Sequence, residues 1–204
     1  MDFNNTQFMI LGSLCNAIPV LKNNRIHGPV DNILSSKGLI SVIDLFNGNF
    51  EKEILSTPKI EKGGKNQNEI IYTFPSFSVV HNDATNPKFF IELGKRLKNL
   101  ENFYKNINDD DKYFVYAMGP HDATYPDFKL TDSFKEGIRQ LKELGILDKI
   151  IFLGFVQKVT FGYRFYHSDE VKQYTNKYIE IHEIDFNEKH DANNKEFIEA
   201  LKAL

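Results

Sequence analysis

Short apolar runs closed by turn residues alternate along this chain with segments of helical period, and that alternation constrains the fold more than any other feature. Gln7–Gly12 reads as a buried strand ended by glycine, and the residues after it, through Lys22, read as a helix whose first turn alone tolerates Pro19. Apolar positions 39, 40, 42, 43, 45 and 46 predict a helix over Ser35–Phe46. Pro58, Gly63, Gly64 and several Lys and Asn residues mark 56–68 as an exposed loop, either an ordinary connector or a lid over the cleft. Two short strands follow, Ile70–Phe74 and Phe77–His81. Pro87 opens a helix to about Asn106 with Phe90, Leu93, Leu97 and Leu100 on one face.

Tyr113–Met118 is the next strand, Leu130–Leu144 a helix closed by Gly145, and Lys149–Leu153 a strand again, which is a β-α-β rhythm. Val156–Tyr166 and Tyr178–Ile184 read as further strands, and Asn194–Leu204 as a terminal helix. The expectation is one α/β domain over 1–204: a three-layer sheet with helices on both faces and a parallel centre.

Composition narrows the function classes. Hydrophobic residues make up 41% and charged residues 26%, the balance of a folded globular chain. Lys and Arg total 25 against 28 acids, a net charge of -3, so no electrostatic footprint for nucleic acid is present. No stretch approaches the roughly 20 apolar residues that a spanning helix needs. Met1–Asn5 lacks the basic and apolar regions of a signal peptide, which gives the expectation of a cytoplasmic protein without a membrane span. The single cysteine, Cys15, leaves no internal disulfide and no zinc site of several thiolates.

Cys15 is the best candidate for chemistry. It stands in Leu11-Gly12-Ser13-Leu14-Cys15-Asn16, at a predicted strand-to-helix turn, with Asp31 downstream and Val80-His81-Asn82-Asp83 after a predicted strand. A helix amino terminus and a neighbouring imidazolium lower a thiol's pKa and make it nucleophilic, and a carboxylate orients the imidazole. Cys15, His81 and either Asp31 or Asp83 supply those roles. The alternative is a Cys15 that only packs, in a noncatalytic domain that binds a glycan or a phosphorylated ligand.

Ile10-Leu11-Gly12-Ser13-Leu14-Cys15, then Gly28-Pro29-Val30-Asp31-Asn32, then His81-Asn82-Asp83 resembles a bacterial domain-of-unknown-function group described as papain-like cysteine peptidases. Its pattern is a strand, Leu-Gly-Ser-x-Cys, Pro-Phe-Asp-Trp, then a strand ending in His-Asp. Val30 and Asn32 stand where that pattern has Phe and Trp, and Asn82 separates His81 from Asp83. The resemblance covers about the first half of the chain. It implies Cys15 as nucleophile, His81 as histidine and Asp31 as the carboxylate, and a cysteine hydrolase or acyltransferase acting on a small molecule or a cell-surface glycan.

Further along, Gly119-Pro120-His121-Asp122 follows a strand directly, where ligands of α/β sheets gather, and this gives His121 and Asp122 as substrate-binding candidates. The simpler reading is a turn in which Asp122 accepts nearby backbone amides. Ser13 offers a serine esterase-like alternative, without the Asp of the Gly-Asp-Ser-Leu motif or a late Asp-x-x-His block. Arg96, beside Lys95 on the helix after His81, is placed to meet a phosphate or carboxylate, or simply to be solvated. His81, Asp83, His121 and Asp122 lack short metal-ligand spacing, and no phosphate loop or dinucleotide fingerprint is present, so no metal or cofactor is expected.

Overall fold

The computed structural model describes residues 6–12, 33–35, 38–63, 69–79, 87–109, 111–124, 126–157, 168–183, 199–200 and 203. Its organising element is a four-stranded, wholly parallel sheet in the order β1-β6-β7-β8, formed by β1 (Gln7–Gly12), β6 (Lys112–Ala117), β7 (Ile150–Gln157) and β8 (Tyr178–Glu183). Alternation along the strands splits the apolar side chains between two faces. Met9, Leu11, Phe114, Tyr116, Ile150 and Phe152 enter one buried cluster, while Ile10, Val115, Ala117, Ile151, Leu153, Ile179 and Ile181 enter another, which also takes in Ala200. Both faces are buried, which is why these strands read as continuous apolar runs. The α/β class expected from the sequence is the class observed.

Four helices belong to the first cluster. α1 (Leu39–Asp44) runs through a π-type stretch, Leu45–Asn49, into α2 (Phe50–Leu55), with a break in helical geometry at Asn47 and Gly48. α3 (Pro87–Lys105) contributes Leu93, Leu97 and Leu100. α4 (Asp132–Glu143) joins β6 to β7 and buries Phe134, Ile138 and Leu141. Thr131 caps it by accepting the Phe134 amide at 3.2 Å. Gly137 lets α4 approach α1, since a Cβ there would lie 2.8 Å from Leu39 Cδ2.

Between β1 and β6 the chain builds a second, antiparallel sheet in the order β2-β5-β4-β3, from β2 (Ile33–Ser35), β3 (Lys59–Gly63), β4 (Glu69–Thr73) and β5 (Phe77–Val79). β3 corrects the sequence reading. Lys59–Gly63 is not a free loop but half of a hairpin, paired from Lys59↔Thr73 to Gly63↔Glu69. With Ile60 as its only large apolar residue the segment has little strand character alone, and the ladder to β4 supplies it. A second correction concerns β7, which continues through Gly154 to Gln157 where the sequence suggested a break. The predicted helix after Gly12 and nearly all of the predicted strand over Val156–Tyr166 lie outside the described residues. No described helix is long and apolar enough to cross a membrane.

A buried carboxyl group lies on α2. Glu53 on α2 is 1% exposed, and neither carboxyl oxygen closes a hydrogen bond among the described residues. Burial pushes its pKa up, opposed in part by Ser76 of the β4–β5 turn, which approaches without hydrogen-bond geometry. Such a group holds its proton more tightly folded than unfolded. Its stabilising contribution is full below the ordinary carboxyl range and is lost as pH rises through the raised value. Glu53→Gln is therefore expected to raise the thermal unfolding midpoint relative to wild type at about pH 8, with the gain shrinking toward about pH 4. An equal effect at both pH values contradicts the assignment.

Candidate functional site

The carboxyl ends of β1 and β6 lie side by side, with Gly12 opposite Ala117. Gly12 has φ 103°, and a Cβ on it would lie 2.2 Å from the Ala117 carbonyl oxygen. Only glycine fits there. The Gly12 of the Leu-Gly-Ser string thus has a physical role: it lets β1 end flush against β6 just before Ser13.

Beyond β6 the Gly119–Asp122 segment is a turn closed by the Asp122 amide donating to Gly119 O at 3.0 Å. Asp122 is fully buried, and its carboxylate is the focus of the site. The Gly119 amide donates to Oδ2 at 2.7 Å, and the Tyr116 hydroxyl reaches Oδ1 at 2.9 Å and Oδ2 at 3.0 Å. The third donor comes from 83 positions away, where the Leu39 amide at the start of α1 gives Oδ1 a bond of 3.2 Å. Asp122 therefore caps α1 from another part of the chain, because α1 has no side-chain cap of its own. Gly38 makes room for it, with φ 65° and a hypothetical Cβ only 2.6 Å from Asp122 Oδ1.

Electrostatics agree with a structural task for this carboxylate. Burial pushes Asp122 up to about 6 against the pull of Gly119, Tyr116 and Leu39. Burial, and then the Asp122 charge, push the Tyr116 hydroxyl well above its ordinary value. The rest of the loop is equally tied. Thr131 donates its amide to Asp122 O at 2.9 Å and its hydroxyl to His121 O at 2.8 Å, and Leu130 donates its amide to Glu170 Oε2 at 2.8 Å.

The simpler expectation, a turn in which Asp122 accepts nearby amides, describes the Gly119 contact. The long-range bond to Leu39 and the partnership with Tyr116 were not foreseen. A tyrosine two residues before a strand's end, on its cluster-facing side, and a Gly-x-x-Asp just after it were the available signals. With its oxygens taken, Asp122 holds backbone in place, while Pro120 and His121 are the exposed residues of the turn, His121 lying against Gly38. Arg96 is half-buried on α3, near Glu92, and no hydrogen bond or ion pair joins it to the turn among the described residues. Lys95 is paired with Glu92 at 2.9 Å. Ser13, Cys15, Asp31, His81 and Asp83 lie outside the described residues. Among the described residues no three His, Cys, Asp or Glu side chains gather as a metal site.

Fold and site define an α/β protein in which one strand of the parallel sheet, β6, runs into a turn held by a buried Asp-Tyr pair. Comparison with protein-family models, with curated proteins and with solved structures found no match to the chain.

Asp122→Asn sets an amide N–H against a buried donor and is expected to cost about 1–3 kcal/mol at about pH 4 in chemical denaturation, with the cost shrinking as pH rises through about 6. Asp122→Ala, which abandons every donor, is expected to cost more. Because the folded value is raised from 3.8 to about 6, Asp122's contribution is full below about pH 3.8 and lost as pH rises through about 6. That decline is expected in the wild type and not in Asp122→Asn, and equal pH slopes in the two proteins contradict the pairing.

Proposed function

We propose that the chain is a cysteine-dependent hydrolase or acyltransferase in which Cys15 attacks an acyl carbon, His81 moves the proton and Asp31 orients the imidazole. The observation that carries this reading is the register of β2 against β5. Ile33 lies opposite Val79, Leu34 opposite Ser78 and Ser35 opposite Phe77. Asp31 precedes Ile33 by two residues in the sequence and His81 follows Val79 by two, and Ile33 and Val79 are paired with each other. The pairing of the strands that border Asp31 and His81 supports Asp31 as the orienting carboxylate. β1, which ends three residues before Cys15, lies against β2. Since β2 is three residues long, its ends are within about 7 Å of each other.

The resemblance of Leu11-Gly12-Ser13-Leu14-Cys15 and Gly28-Pro29-Val30-Asp31 to the papain-like group supports the same roles. In the reaction, the Cys15 thiolate bonds to the carbonyl carbon of an ester, amide or thioester. The bond to the leaving group breaks and His81 donates a proton to it. Water or an acceptor hydroxyl, deprotonated by His81, then releases the acyl group, and amides near Leu14 and Cys15 stabilise the oxyanion. A glycan hydroxyl is the acceptor class that the resemblance implies.

Iodoacetamide alkylation followed against pH tests the assignment. Cys15 is expected to titrate well below the ordinary thiol value of about 8.5, with the depression lost in His81→Ala and reduced in Asp31→Asn. Cys15→Ala is expected to keep stability within about 1 kcal/mol while hydrolysis of p-nitrophenyl acetate falls to background. A thiol that titrates at its ordinary value in both parent and His81→Ala overturns the proposal.

A further inference from the structure

The antiparallel sheet ends on β3, whose inner edge pairs with β4 and whose outer edge pairs with nothing among the described residues. Lys59, Ile60, Glu61 and Lys62 are all exposed, Ile60 at 65%. A free edge of this kind offers a row of backbone donors and acceptors to another strand, and its lysines discourage indiscriminate pairing. Its sequence is nevertheless complementary to itself. In a two-fold antiparallel pairing centred on Ile60, Ile60 meets Ile60 of the second copy, Lys59 meets Glu61 and Glu61 meets Lys59. Centring the pairing on Glu61 sets Glu61 against Glu61, and centring it between Ile60 and Glu61 sets Lys59 against Lys62, so like charges oppose both.

Each face of the strand fits the Ile60-centred register. Lys59 Nζ is 2.6 Å from Glu61 Oε1 within one chain, and pairing two copies turns this contact into an alternating group of four charges. On the other face Ile60 lies opposite Tyr72, whose ring meets Phe90 edge-on at 6.2 Å, and Ile70 and Phe90 are 39% and 42% exposed. The incoming Ile60 is thus set beside an apolar strip that is otherwise open to water.

We propose that β3 is a homodimerisation edge, where two copies pair antiparallel through Lys59–Glu61 and join their four-stranded sheets into one continuous sheet. The test is sedimentation equilibrium of the full chain with two charge variants. Wild type is expected to show a concentration-dependent dimer. Lys59→Glu and Glu61→Lys are each expected to weaken it by about tenfold or more, since each sets like charges opposite one another twice. An equimolar mixture of the two is expected to restore the dimer as a heterodimer, because one strand then carries Glu at both positions and the other Lys. Circular dichroism checks that these exposed substitutions leave the fold intact. A wild type that stays monomeric up to about 1 mM overturns the proposal. So does a dimer that neither variant weakens, or a mixture that remains monomeric.

Discussion

The buried carboxylate of Asp122 is the interaction on which the rest of the arrangement depends. It gathers the amide of its own turn, the hydroxyl of a tyrosine on the central strand and the first amide of a helix that starts 83 residues earlier. An ionised group without water is costly, and only several well-aimed donors make it tolerable. The consequence is geometric. The end of β6, the Gly119–Asp122 turn and the start of α1 cannot move independently, and Gly38 must remain glycine for the carboxylate to reach Leu39. The turn also holds α4 through Thr131, so the β6–α4 crossover and the α1–α2 arm share one anchor.

That anchor lies at the carboxyl edge of a parallel sheet, where β1 ends at Gly12 against Ala117. Sites in α/β proteins form at such edges because loops from neighbouring strands converge there while the layers behind stay rigid. The proposed thiol site draws on this economy. In the sequence Cys15 follows β1 by three residues, and Asp31 and His81 each stand two residues from the paired ends of β2 and β5. His121 is exposed on the tied turn beside Gly38.

Much of this was legible in the amino acids. Apolar runs such as Ile10-Leu11, Phe114-Val115-Tyr116 and Ile150-Ile151-Phe152 identify doubly buried strands because both of their faces are covered. Pro87 and Gly145 punctuate the helices they border for reasons local to themselves. Lys59–Gly63 was not legible because its strand character comes from β4 and not from its own side chains. The separation of β2, β3, β4 and β5 into a second sheet is likewise a matter of pairing partners, which periodicity does not encode. Asp122 could be read as a turn residue, since Gly119 is three positions away. Its cap on Leu39 is tertiary, and no local pattern announces it. Gly12 and Gly38 were visible as glycines, yet the need for them comes from the Ala117 carbonyl and the Asp122 carboxylate, both distant in sequence.

The central functional claim is that Cys15 and His81 share an electrostatic environment. It is tested most directly by nuclear magnetic resonance titration of the His81 imidazole, before and after Cys15 is blocked with iodoacetamide. If a thiolate faces His81, the imidazole holds its proton above the ordinary value of about 6.5 in the free protein and returns toward that value once the thiol is capped. A His81 titration unchanged by alkylation contradicts the account.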